Sequence, residues 1–161
     1  MSEKELVDKL KQRIGPQHVS DAGSPQAGRI YVQIDNIRLK DAISFLKTNG
    51  FTHLLAITGL EIKDRIELLY HLGKNGLLLT LRVKLPTNEL VTPSIIDIIP
   101  GADPYEREVH DLFGVNFEGH SKLAPLILPE DWPADNYPLR KNRTTAKDEK
   151  RKETDGKASK L

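Results

Sequence analysis

Apolar residues open the chain at helical spacing, at Leu6, Val7, Leu10 and Ile14, and predict an amphipathic helix over residues 2–14. Ser2 and Glu5 in front of it form a capping box, each side chain placed to satisfy the other's free backbone amide. Gly15-Pro16 stops the helix. Residues 20–28, rich in Gly, Ser and Pro, are read as a loop. Alternation then places Ile30, Val32 and Ile34 on one face of a strand over Arg29 to Ile34. Leu39, Ala42, Ile43 and Leu46 return to helical spacing over 38–48, ended by Asn49-Gly50. Phe51 to Thr58 reads as a buried strand, and Arg65 to His71 as another with Ile66, Leu68 and Tyr70 on one face. After the turn Gly73 to Gly76, Leu77, Leu79, Leu81, Val83 and Leu85 face one way and Thr80, Arg82 and Lys84 the other. Short turns between these runs predict antiparallel hairpins.

The element order is therefore α-β-α-β-β-β. It predicts an α+β, two-layer sandwich: a mostly antiparallel sheet of about four strands with helices on one face. Beyond Pro86 the pattern changes, and seven of the ten prolines lie between Pro93 and Pro138. Pro93 to Ile99 is read as a short helix. Asp103 to Phe113 is read as a longer one, capped by Asp103, with Pro104 in its first turn and Glu106 completing a capping box. Pro125, Pro129, Pro133 and Pro138 forbid a helix from Gly114 to Arg140, yet Phe117, Leu123, Leu126, Ile127, Leu128, Trp132, Tyr137 and Leu139 are too apolar for a free linker. An extended, proline-stiffened arm that lies in a groove fits both facts. The predicted organisation is an α+β domain over 1–115, a docking arm over 116–141, and a charged tail over 142–161 that is disordered when alone.

Composition adds exclusions. The 161 residues include no cysteine, which removes disulfides, thiolate zinc, a cysteine nucleophile and a cysteine-held iron–sulfur cluster. No run of 18 apolar residues is present to span a membrane, and the charged start MSEKELVDKL does not read as a signal peptide. The formal charge of +1 hides an asymmetry: residues 140–161 hold nine Lys/Arg and four Asp/Glu, against 15 and 19 in the rest.

Glu106-Arg107-Glu108-Val109-His110-Asp111 is the densest group of ionisable side chains outside that tail. As an enzyme it would use Glu108, His110 and Asp111 for general base or metal chemistry. As a helix it puts Glu106 with His110 and Arg107 with Asp111 at i,i+4, the pattern of a solvated or interface face. The latter is preferred. His18, His53, His71, His110 and His120 make no H-x-x-x-H or H-E-x-x-H pair, and no phosphate-cradling glycine motif or nucleophile elbow occurs. The basic tail could bind nucleic acid through phosphates, but its charges alternate in sign and it lacks aromatic residues. On residues alone the chain is a small α+β domain with a conformable arm, built to bind another protein.

The stretch 103–141 resembles a known signature. It runs Glu106-Arg107-Glu108, Asp111-Leu112-Phe113-Gly114, Phe117, Gly119-His120, Leu126-Ile127-Leu128-Pro129-Glu130-Asp131-Trp132 and Pro138-Leu139-Arg140-Lys141. Together these resemble the 30-kDa-type subunit of respiratory complex I, the C subunit of NADH-quinone oxidoreductase in bacteria. The same component occurs in archaeal reduced-deazaflavin dehydrogenases and membrane-bound hydrogenases. A weaker likeness extends through Gly50-Phe51-Thr52-His53-Leu54 and Ile57-Thr58-Gly59, so that roughly 29–141 are covered. Ser121, Ala124-Pro125, Asn136-Tyr137 and Asn142 depart from the usual family residues and suit a divergent member, archaeal or hydrogenase-linked.

The resemblance implies a non-catalytic peripheral-arm subunit of an ion-translocating oxidoreductase, on the cytoplasmic side of the membrane and held there through the complex. It would help assemble and stabilise the iron–sulfur path to a quinone, methanophenazine or proton-reducing site. No cofactor is expected in this chain; iron–sulfur clusters are expected in partner subunits. The implied partners are the cavity-forming subunit (49-kDa or hydrogenase-large type) and the iron–sulfur subunits, with no nucleic acid. The implied interface residues are Glu106, Arg107, Glu108, Asp111, Phe113, Gly114, Phe117, Gly119, His120, Trp132, Pro138, Leu139, Arg140 and Lys141. Arg107, Arg140 and Lys141 are the expected charge anchors.

Overall fold

In the computed structural model, which describes residues 2–141, the Ser2 hydroxyl accepts the Glu5 amide at 3.2 Å and starts helix α1 (Glu3–Ile14). Gly15, at φ +93°, ends it. Leu6, Leu10 and Ile14 are buried, as their spacing requires. Helix α2 (Leu39–Thr48) follows a 3₁₀ turn, Asn36–Arg38, and buries Leu39, Ala42, Ile43 and Leu46 beside α1.

Five strands form the main sheet: β1 (Val19–Gln26), β2 (Arg29–Ile34), β3 (His53–Ile62), β4 (Arg65–Lys74) and β5 (Leu77–Pro86), in the order β1-β2-β5-β4-β3. The β2–β5 pair is parallel and the other three are antiparallel. The α+β reading holds, with one strand more than expected. That strand is β1, in the segment read as a loop. It is an edge strand exposed along most of its length, so no buried face leaves an alternating signature, and only its ladder with β2 defines it. Pro25 falls in the register break between Gly23 and Gln26, where its missing N–H disturbs no ladder bond.

Register carries the core across the sheet. Ile30 and Val32 pair with Leu79 and Leu81, and Leu72, Tyr70, Leu68 and Ile66 with Leu79, Leu81, Val83 and Leu85. All are buried. The helices cover this face.

The stretch read as a short helix, Pro93 to Ile99, is instead the end of β6 (Val91–Pro93) followed by a turn, and β6 pairs in parallel with β7 (Asn116–Glu118). The Ile98 and Ile99 amides turn back to the Ile95 carbonyl at 3.0 and 2.8 Å, but two polar groups find partners outside the segment: the Glu106 carboxylate accepts the Ile95 amide at 2.7 Å and the Ser94 hydroxyl at 2.6 Å. These outside bonds compete with a longer run of helical ones.

Helix α3 (Asp103–Phe113) grows out of the 3₁₀ turn Pro100–Ala102 and has no side-chain cap. The expected cap, Asp103, lies inside the helix, and the expected capping-box partner, Glu106, is turned into the core at 0% exposure. The preceding turn already supplies the geometry a cap would impose. Gly59 on β3 lets α3 approach the sheet; a Cβ there would meet the Phe113 ring at 2.6 Å. Gly114, at φ +75°, closes the helix. The charged tail, 142–161, lies outside the described residues.

Candidate docking surface on helix α3 and the C-terminal arm

Helix α3 uses its ionisable residues mainly to hold its own chain, each flank binding a different segment. Glu106 faces inward. Burial raises its carboxyl, against the Ile95 amide, the Ser94 hydroxyl and His120, which lower it. The buried Tyr70 phenol is pushed up by burial and by the Glu106 charge.

The next flank clamps the arm. Arg107 Nε donates to the Ala124 carbonyl at 2.9 Å and Nη2 to the Pro125 carbonyl at 2.8 Å. One oxygen of Asp111, Oδ2, accepts the amides of Leu126 (2.8 Å), Ile127 (2.8 Å) and Leu128 (3.3 Å). Three successive N–H groups around one anion form a nest. Burial raises the Asp111 carboxyl, but the three amides and His110 outweigh it, and the net shift is downward. The i,i+4 pairing expected between Arg107 and Asp111 is replaced by these bonds. Arg107 faces Asp103 instead, at 3.6 Å, because the arm's backbone supplies better-aligned partners for both side chains.

Beyond the helix the arm is tied again. The Leu139 amide donates to the Leu112 carbonyl at 3.1 Å. Arg140 donates to Glu61 Oε1 and to the Phe113 carbonyl, both at 3.3 Å, and the Lys141 amide donates to Glu61 Oε2. The Tyr137 ring packs so closely on Gly114 that a Cβ there would lie 2.5 Å from it. Phe117 is buried in β7, and Gly119 turns the chain at φ +85°. The His120 side chain is enclosed. Its Nδ1 accepts the Lys122 amide at 3.1 Å, and Nε2 stands 3.3 Å from Asp103. The Trp132 indole donates to the Asn136 carbonyl at 2.6 Å, and Pro138 is half-buried.

What the arm does not bury is as informative. Leu126, Ile127, Trp132 and Leu139 stand 41%, 54%, 39% and 52% exposed, on a segment whose backbone is fixed. Of these, Leu139 lines a cleft of about 270 Å³ between α3 and β3, with Tyr105, Glu108 and Leu112.

The three residues of the enzyme reading do not converge. Asp111 is filled by the arm, His110 Nδ1 lies 2.9 Å from the Val115 carbonyl, and Glu108 faces the cleft. Among the described residues no group of three His, Asp or Glu is placed to hold a metal. Sequence reasoning missed Glu61, the carboxylate that anchors residues 140–141. The apolar run ends at Thr58, which leaves Glu61 outside the expected strand. In register Glu61 sits opposite the buried Ile66, and an acid at such an inward position is the signal that would have found it.

A family model for the 30 kDa subunit of respiratory-chain NADH dehydrogenase matches residues 32–149. The chain is 30% identical over 147 residues to the C subunit of F(420)H(2) dehydrogenase from Methanosarcina mazei, covering 88% of this chain and 92% of that protein. It is 31% identical over 144 residues to the C subunit of NADH-quinone oxidoreductase from Methylobacterium radiotolerans, spanning 85% of this chain and 65% of that longer protein. Among solved structures, a chain of the membrane-bound sulfane sulfur reductase, an archaeal respiratory membrane complex, superposes with a TM-score of 0.78 at 27% identity, covering 94% of this chain and 91% of that one.

Proposed function

This chain belongs to the family of the respiratory-chain NADH dehydrogenase 30 kDa subunit, and on that basis we propose that it is a non-catalytic peripheral subunit of a complex-I-like, ion-translocating oxidoreductase. Its task is to help assemble and stabilise the iron–sulfur path to the quinone, methanophenazine or proton-reducing site. The neighbours in this reading are the cavity-forming subunit and the iron–sulfur subunits, which carry the cofactors. It sits on the cytoplasmic side, peripheral to the membrane; among the described residues no helix is long and apolar enough to cross one.

One observation supports this reading above the rest. The arm is clamped to its own domain by Arg107, Asp111 and Glu61, yet turns Leu126, Ile127, Trp132 and Leu139 outward. A fixed apolar ridge of this kind is what a protein interface needs: rigid anchors with a satisfied backbone.

The test replaces the ridge without cutting the tethers. Leu126→Lys and Ile127→Lys together, which spare the Trp132 hydrogen bond and set no like charge beside Asp111, should leave thermal unfolding of the isolated chain unchanged and abolish co-purification with its complex. Deleting 121–161 should also abolish co-purification and leave the domain folded, at a lowered unfolding temperature because Arg107, Asp111 and Glu61 lose their partners; Phe117 and β7 must stay, because Phe117 is buried. Full assembly of either variant would refute the docking role, and turnover by the purified chain alone would refute the non-catalytic one.

A further inference from the structure

The main sheet has two unequal faces. One is covered by the helices. The other, made of the alternate residues, carries no element among the described residues, and its charge runs against that of the body. Residues 2–141 hold 17 Lys/Arg and 19 Asp/Glu. The bare face presents Arg29, Arg65, Arg82 and Lys84, with Asp21 and Glu67 as its acids.

Glu67 directs no charge outward. It is 1% exposed, between Arg65 Nε at 2.8 Å and Arg82 Nη1 at 3.3 Å. The Arg82 guanidinium also lies 4.8 Å from the centre of the Tyr31 ring. The carboxylate and the ring thus hold the guanidiniums in place. Leu55 and Leu60 add apolar area at 45% and 41% exposure.

At one end the face runs into a hollow of about 650 Å³, where the turns at Gly28, Gly50 and Gly76 meet. Arg29, His53 and Lys74 line it, and no carboxylate does. The Lys74 ammonium is steadied by the Asn49 carbonyl at 2.7 Å.

We propose that this bare face is a second docking surface, whose occupant is an acidic segment of another subunit of the same complex, with a carboxylate seated among Arg29, His53 and Lys74. The inference rests on the function proposed above but uses no residue of the arm. A second copy of this chain is the poorer fit, because a two-fold contact would set like charge against like. Single-stranded nucleic acid is poorer too: it needs a free aromatic platform, and the Tyr31 ring is already occupied by Arg82.

The experiment uses the full chain in its complex. Arg29 and Lys84 are exposed and have no side-chain partner among the described residues, so Arg29→Glu with Lys84→Glu should leave thermal unfolding unchanged. The complex isolated through the double variant at physiological salt should contain at least tenfold less of the partner subunit than wild type. A photo-crosslinking residue placed at position 60 should join to an acidic peptide of that subunit. Wild-type recovery by the double variant overturns the proposal. So does a crosslink to a second copy, to nucleic acid, or to nothing in the assembled complex. If the wild-type chain co-purifies with no oxidoreductase subunit, the functional reading falls as well; if it does and the double variant matches it, this inference alone falls.

Discussion

Removing the Asp111 carboxylate should free the middle of the arm while leaving the domain folded. The side chain takes three amides on one oxygen, two at 2.8 Å and one at 3.3 Å. Hydrogen bonds to a charged group are worth about 1.5–3 kcal/mol each when the unpaired donor stays dry. Leu126 and Ile127 are exposed, so water can reach their amides once the acceptor is gone. About 1 kcal/mol for each short bond and less for the long one gives roughly 2–3 kcal/mol for Asp111→Ala. That is about a 30- to 150-fold rise in local opening. Amide hydrogen exchange at Leu126, Ile127 and Leu128 in the full chain reads it directly, and Asp111→Asn, which keeps one acceptor oxygen, should fall between. The sign with pH follows from the net downward shift of this carboxyl, in which burial raises and the amides and His110 lower. Its contribution is fully present above about pH 4, the ordinary carboxylate value, and is lost as pH falls through the lowered folded value. Wild type should therefore lose protection in acid, and Asp111→Asn should show little further loss. Unchanged protection in Asp111→Ala would refute the clamp.

Burial raises Glu106 against the opposing pull of Ile95, Ser94 and His120, so its contribution to stability is greatest below the ordinary carboxylate value and is lost as pH rises through the raised one. Glu106→Gln, whose oxygen can accept the Ile95 amide and whose NH2 can donate to the Ser94 hydroxyl in place of accepting from it, should flatten the decline in urea stability as pH rises above the ordinary carboxylate value; an unchanged slope would count against it. Gly114→Ala should lower stability by about 1–3 kcal/mol, since φ +75° and the Tyr137 ring both oppose a Cβ; thermal unfolding measures it. Arg140→Ala leaves the nearly buried Glu61 carboxylate short of a partner and should cost about 1–3 kcal/mol, seen as faster proteolysis after residue 130.

Where burial is one-sided, the chain's own pattern was enough. The apolar positions of β2, β4 and β5 alternate because one face is covered, and those of α1 and α2 repeat because one stripe is. Where burial does not vary along an element, the pattern was mute, as in the exposed edge strand β1. The site divided in the same way. The charged run on α3 was visible, and so was its unsuitability as one catalytic centre. Its use was not, because helix periodicity describes neighbours on the helix. The partners of Glu106, Arg107 and Asp111 come from residues 94–95 and 124–128. Glu61 and Arg140, separated by 79 positions, meet only through the fold.

The clamp changes what docking must supply. An unstructured arm would lose about 1–2 kcal/mol of backbone entropy for every residue it ordered on a partner. Here Arg107, Asp111 and Glu61 have already ordered most of that backbone, using main-chain groups that an apolar interface could not satisfy. The outward side chains can then act as anchors without a large ordering term. A substitution at Asp111 should accordingly weaken assembly although Asp111 itself, at 4% exposure, has little surface to offer a partner. Its effect would come through the disorder returned to residues 126–128. A rigidifying change elsewhere in the arm should recover part of the loss, whereas no such change should rescue Ile127→Lys. That difference separates a positioning residue from a contact.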